Sequence, residues 1–194
     1  MSLSRRDATH ERIVDAAARA IRRAGYQGVS VVDIMKDAGL THGGFYAHFA
    51  NRDALLVEAV EHAGTKGGEH LIASIARREG RGASRFEALV KTYLSDQHIA
   101  AIEDGCVLSA LLCEMPRQSP EVQAASRRRI RSFVATVREC LPTGADAETA
   151  ETVASTLVGA LQIARALGDN AQGRRFLAAQ RAALLDRYDD QTTR

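Results

Sequence analysis

Residues 30–49 read Ser-Val-Val-Asp-Ile-Met-Lys-Asp-Ala-Gly-Leu-Thr-His-Gly-Gly-Phe-Tyr-Ala-His-Phe, and Arg52 follows closely. A tyrosine hydroxyl, an imidazole and a guanidinium all donate the hydrogen bonds that phosphate oxygens accept. Helix starts expected near Thr41 and Arg52 would add partial positive charge at the same place. These groups are chemically able to meet phosphate oxygens. Tyr46 and His48 can also serve as core or cap residues, but Phe45 and Phe49 already supply that segment's core, which favours contact roles. His42 reads equally as an exposed first-turn residue or as a contact to a base. Ser30 is useful as a helix cap whatever else it does.

Such a set works only if a scaffold holds it outward. Ser30-Val-Val-Asp33 has the pattern of a capping box, opening a short helix through Ile34 and Ala38. Gly39 permits the positive φ of a turn, and Thr41 is expected to cap a second short helix from His42 to Phe49. Two short helices joined by a glycine-containing turn form a helix-turn-helix, whose second helix is sized for a major groove. Ile34, Ala38, Leu40 and Phe45 face inward in this reading. Thr41, His42, Gly43, Tyr46 and His48 remain outside. Adjacent glycines in a helix cost roughly 1 kcal/mol each relative to alanine, and the gap they open allows a backbone to approach a surface closely.

The same punctuation recurs along the chain. Ile13, Ala17, Ala20, Ile21 and Ala24 form a stripe that Gly25 closes as a left-handed cap would. Asn51 can cap a helix carrying Leu55, Leu56, Ala59, Val60 and Ala63, which glycines 64, 67 and 68 weaken, and Arg77 to Gly82 reads as a loop. Ser84-Arg-Phe-Glu87 is a capping box for a helix over 84–98. Further helices are expected over 104–114, over 119–141 with Ser119 as cap and Pro120 at the first position, over 147–166 after Asp146, and from about Ala171 to Tyr188. No alternating run is long enough for a strand. The architecture expected is all-α with about nine helices.

Composition agrees with a folded helical chain: of 194 residues, 45% are hydrophobic, 26% are charged and only three are proline. No stretch approaches the roughly 20 apolar residues of a membrane span, and the start Met-Ser-Leu-Ser-Arg-Arg-Asp does not read as a signal peptide, so a cytoplasmic location is expected, with no membrane partner. Residues 1–52 carry a formal charge of +3 and the remainder −1, as for an anion-facing module attached to a nearly neutral body. A solvated basic face explains this modest asymmetry almost as well. The run Arg127-Arg-Arg-Ile-Arg131 flanks an apolar stripe and reads as a solvated helix face.

Cys106, Cys113 and Cys140 are read as reduced thiols, since Cys106 and Cys113 on one helix face stand about 10 Å apart, beyond disulfide reach. No nucleophile elbow, metal-binding His-Glu-x-x-His, phosphate-binding glycine loop or dinucleotide fingerprint is present, so neither an enzyme, a cofactor nor a metal is expected. Two rivals remain open: a cysteine hydrolase using Cys106 with His98, and a helical scaffold that binds only protein.

The segments Ile13 to Gly25, Val32-Asp-Ile-Met-Lys-Asp-Ala-Gly-Leu-Thr-His-Gly-Gly-Phe-Tyr-Ala-His-Phe49 and Asn51-Arg-Asp-Ala-Leu55 resemble the TetR family of transcriptional regulators. The resemblance implies an N-terminal three-helix DNA-binding domain over 1–50 and a C-terminal helical effector-binding and dimerisation domain over 51–194. It implies a homodimer on double-stranded operator DNA, acting as a repressor that a small-molecule effector releases. It places Thr41, His42 and Gly43 at base edges and the adjacent backbone, and Ser30, Tyr46, His48 and Arg52 at phosphates. Ala47 and Ala50 depart from the larger or basic residues common there. Gly105-Cys106-Val-Leu-Ser resembles a motif of one branch of that family in which the cysteine senses electrophiles or oxidants, although no Lys, Arg or His adjoins it in sequence.

The stripe Val153, Ala154, Leu157, Val158 and Leu161, with Phe176, Leu184 and Tyr188, is expected to pair two copies through a four-helix bundle. Packing only within its own domain is the alternative. Phe86, Leu89, Tyr93, Leu108, Leu112, Phe133, Val137 and Leu157 are expected either to fill a solid core or to line a cavity for a largely apolar effector, with Gln97, His98 and Gln162 as candidate polar contacts.

Overall fold

Ser4 opens the first helix: its hydroxyl accepts from the Asp7 amide while the Asp7 side chain returns to the Ser4 backbone, a complete capping box. The computed structural model describes residues 4–189, and Met1 to Leu3, part of the start read above, lie outside the described residues with 190–194. Nine α-helices follow in order among the described residues, and no strand: α1 (Arg5–Ala24), α2 (Val31–Asp37), α3 (Arg52–Glu79), α4 (Arg85–Tyr93), α5 (Asp96–Ala100), α6 (Val107–Leu111), α7 (Pro120–Cys140), α8 (Ala147–Leu167) and α9 (Ala171–Tyr188). Two 3-10 helices, His42–Ala47 and Met115–Arg117, lie between them. No helix among the described residues is long and apolar enough to cross a membrane.

The helices gather into two compact units. The first holds residues 4–66 and 103–129, with α1 packed on α2 and α6 and α2 on the 3-10 helix. Its core is Ile13, Ile21, Tyr26, Ile34, Met35, Phe45, Phe49, Leu55 and Leu56. The second holds residues 67–102 and 130–189, with α8 on α9 and both α4 and α5 against α9. Phe86, Leu89, Tyr93, Leu94, Val153, Leu157, Leu161 and Leu177 form its core.

Several elements differ from the sequence reading. α3 runs unbroken through Gly64, Gly67 and Gly68 and through Arg77–Glu79, read as loop, because Leu55, Leu56, Ala59, Val60, Ala63, Leu71 and Ile75 bury along it and outweigh the glycine cost. The helix expected over 84–98 breaks after Tyr93, where Ser95 caps α5 by accepting from the His98 amide. Only Val107–Leu111 of 104–114 is α-helical. Ser119 Oγ makes no hydrogen bond, so Pro120 begins α7 without its help. Gly25 has the expected positive φ of 76° but an extended ψ of 171°, so it is not a left-handed cap. Ser84 accepts from the Glu87 amide, as the expected box requires. The α8 stripe meant for a partner is consumed at home: Val153, Ala154, Leu157, Val158 and Leu161 are all buried by the single chain, as is Leu184.

Candidate nucleic-acid interface

The turn that carries the polar set is built in three steps. Ser30 Oγ accepts from the Asp33 amide at 3.1 Å, and the Asp33 carboxylate accepts from the Ser30 hydroxyl and backbone, which holds that carboxyl below its usual range. α2 then stops at Gly39, whose φ of 69° turns the chain so that Leu40 can donate to Met35 O at 2.9 Å. Phe45 and Phe49 sink into the core and stack on each other at 5.6 Å, with His10 of α1 stacked on Phe49 at 4.5 Å.

With both phenylalanines fixed inward, Thr41, His42, Gly43 and Tyr46 are exposed together. Tyr46 is 71% exposed, its ring edge-on to Phe45 at 5.2 Å and to His42 at 6.5 Å. A β-carbon on Gly43 would meet no atom of the chain within 4 Å. Nothing inside the protein requires glycine there. The expected second helix is a 3-10 helix ending at Ala47 rather than an α-helix to Phe49, and Thr41 makes no side-chain cap. Two adjacent glycines depress α-helical propensity, and Gly44 donates to Thr41 O at 3.1 Å in the shorter 3-10 repeat.

His48 and Arg52 are placed differently. His48 is half-buried with Nδ1 fully covered and without a hydrogen bond, and its pKa is lowered by burial and by the neighbouring His10 and Arg6. Arg52 Nη2 is turned to the chain, donating to Tyr26 O and, at 3.3 Å, to Val29 O. Sequence reasoning missed Arg6, which donates to Ala47 O at 3.0 Å, and His10, whose Nε2 meets Glu58 at 2.6 Å. Their signal was present: 6, 10, 13 and 17 share one face of α1, the stripe already recognised from Ile13 onward.

In the second unit, Phe86, Leu89, Tyr93, Val137 and Leu157 are buried and Phe133 is half-buried, with the Tyr93 and Phe133 rings 5.1 Å apart. Leu108, buried, and Leu112, half-buried, belong to the first unit. His98 donates from Nδ1 to Tyr93 O at 2.7 Å, and burial pushes its pKa down to about 4. Gln97 is exposed and Gln162 half-buried. The arginine run is partly tied down, Arg128 to Glu61 at 2.6 Å and Arg129 to Glu61 at 2.7 Å. Cys106 stands half-buried at the start of α6, and Arg22 of α1 is buried, which lowers the pKa of its guanidinium.

Residues 13–59 match the family described as bacterial regulatory proteins, tetR family. Over 170 residues the chain is 30% identical to the HTH-type transcriptional regulator Rv0196 of Mycobacterium tuberculosis, spanning 82% of this chain and 85% of that protein. Over 57 residues, 29% of this chain and 26% of the relative, it is 39% identical to the HTH-type transcriptional regulator YwcC of Bacillus subtilis. Among solved structures, the reduced form of E. coli NemR aligns with a TM-score of 0.75 at 16% identity, covering 92% of this chain and 96% of that one. A TetR-family regulator from Agrobacterium tumefaciens aligns with a TM-score of 0.72 at 24% identity, covering 94% and 98%. The structural likenesses speak for the fold, and the matched helix-turn-helix together with the relative matched over 82% of this chain speaks for the rest: the chain belongs to the TetR family of bacterial transcriptional regulators, DNA-binding proteins rather than enzymes.

Proposed function

We propose that the chain is a cytoplasmic repressor that binds operator DNA through residues 1–50, using Thr41, His42 and Gly43 at base edges and the adjacent backbone and Tyr46 and Ser30 at phosphates. The observation that carries this reading is the exposed group Thr41, His42, Gly43 and Tyr46 on a turn anchored by two buried phenylalanines, with Gly43 opening onto empty space. His48 and Arg52 act from behind, His48 against His10 and Arg52 on the Tyr26 and Val29 carbonyls. Two copies pair through residues 51–194. The outward row Thr152, Thr156, Gly159 and Ile163 of α8 is open to a partner: Gly159 meets nothing within 4 Å and Ile163 is 50% exposed. Two heads about 34 Å apart then read successive major grooves.

The test is selection of duplexes from a randomised library by the purified protein at fixed salt. Wild type should enrich a two-fold symmetric sequence. A Thr41→Ala, His42→Ala, Tyr46→Ala triple variant should lose that enrichment, and equal affinity in the triple variant would sink the assignment.

The releasing signal in this reading is a small, largely apolar molecule bound in the second unit among Phe86, Leu89, Tyr93, Phe133, Val137 and Leu157, which shifts the spacing of the two heads. Thermal-shift screening of apolar compounds, followed by release of the selected duplex, tests it. A second reading makes Cys106 a thiol sensor, favoured by its half-exposed place at the start of α6 beside the buried Arg22. Loss of DNA binding on treatment with an electrophile, abolished by Cys106→Ala, would select that alternative.

A further inference from the structure

Three separated stretches of the chain meet at Tyr26. Its side chain is fully buried, and burial pushes its hydroxyl pKa up to about 12. Its backbone is held on both sides by side chains. The amide donates to Glu114 Oε2 at 3.0 Å, and the carbonyl accepts from Arg52, which also reaches Val29 O. Residues 25–29 form no helix of their own and are the only covalent link from α1 to α2. Whatever fixes that link fixes the direction in which the chain enters the Ser30 cap and the helix-turn-helix beyond it.

Glu114 comes from the segment after α6, 88 residues from Tyr26 in sequence. Its carboxylate fills the space beside Gly25: a β-carbon there would lie 2.5 Å from Oε1 and 3.0 Å from Oε2. This is the carbonyl end of α1, where the helix dipole disfavours negative charge. Helix electrostatics therefore does not explain a carboxylate at this place, whereas a hydrogen bond to an otherwise unpaired amide does.

We propose that Glu114 is a positioning residue for DNA binding: with Arg52 it clamps the two backbone groups of Tyr26 and so sets how α2 and the following turn are presented. The proposal rests on the reading of residues 30–48 as the DNA-contacting face. Two conservative substitutions separate the clamp from bulk packing. Glu114→Gln keeps a carbonyl acceptor at the same reach. Glu114→Asp keeps the charge but withdraws it by one methylene, further than a 3.0 Å bond tolerates.

The experiment measures three quantities for wild type, Glu114→Gln and Glu114→Asp: affinity for the duplex selected by wild type, hydrogen exchange of the Tyr26 amide, and thermal unfolding. Glu114→Gln is expected to keep wild-type affinity and a protected Tyr26 amide. Glu114→Asp is expected to lose about tenfold in affinity with an unprotected amide while remaining folded. If Glu114→Asp does not fold, Glu114→Met supplies the same test with the acceptor removed and the length kept. Undiminished affinity with an unprotected Tyr26 amide overturns the proposal, as does equal weakening by Glu114→Gln. Failure of wild type to select any duplex overturns the DNA reading itself. A wild type that selects a duplex and loses it on Tyr46→Ala, but not on Glu114→Asp, overturns the clamp alone.

Discussion

The stem of Arg129 crosses α3 at Gly64, so that a β-carbon on Gly64 would lie 2.2 Å from Arg129 Cδ. The same arginine meets Glu61 one turn earlier at 2.7 Å. Gly67 and Gly68 have nothing within 4 Å of the same point. Gly67→Ala and Gly68→Ala should therefore each stabilise by about 0.5–1 kcal/mol through helix propensity alone. Gly64→Ala should lower the unfolding temperature despite the same gain, because Arg129 must leave Glu61. Thermal unfolding of the three variants decides it, and a rise for Gly64→Ala equal to the others would refute it.

Removing the Ser30 hydroxyl takes the cap from α2. Ser30→Ala should cost about 1 kcal/mol of stability. Asp33 has its carboxyl held below the ordinary value of 3.8 mainly by that hydroxyl, so its contribution is present above about pH 4 and fades as pH falls through the lowered value. Denaturant unfolding from pH 6 to pH 3 should show this acid-side slope reduced in the variant.

His98 behaves in the opposite chemical sense. Folding lowers its pKa from 6.5 to about 4, so below pH 6.5 the unfolded chain takes up a proton that the folded chain refuses. Its titration has no effect on stability above that pH. Between pH 6.5 and 4 it should destabilise progressively, by at most about 3 kcal/mol. His98→Asn, which can still donate to Tyr93 O, should flatten that part of the profile in urea titrations.

At the proposed DNA-contacting face, the Tyr46 hydroxyl and the His42 imidazole should separate by the kind of loss. Tyr46→Phe should weaken all duplexes about equally, since a phosphate contact carries no sequence information. His42→Ala should relax discrimination at one base pair by roughly 1–3 kcal/mol, and an unchanged profile would remove His42 from the base edge. Binding to a panel of single-substitution duplexes distinguishes the two.

Local chemistry made much of this fold legible in advance. Ser30 and Asp33, Asp146 and the Phe45–Phe49 pair act through partners a few residues away, and each does what its spacing announces. What the spacing could not announce was set by distant partners. Arg52 looks like a free cation until Tyr26 O and Val29 O are placed beside it. The α8 stripe looks like an interface until α9 is packed on it. Gly64 looks like a break until Arg129 fills the space it leaves, and Glu114 carries no signal in its own neighbourhood at all.

The 3-10 winding of His42–Ala47 makes the exposed surface depend on pitch as well as composition. Residues three apart eclipse in such a turn, so Gly43 stands in line with Tyr46 and leaves a side-chain-sized notch beside the ring. An α-helix advances about 100° per residue against about 120° here, so rewinding the segment would swing Tyr46 by about 80° relative to His42. Alanines at Gly43 and Gly44 favour that rewinding, and would re-aim the tyrosine without replacing it.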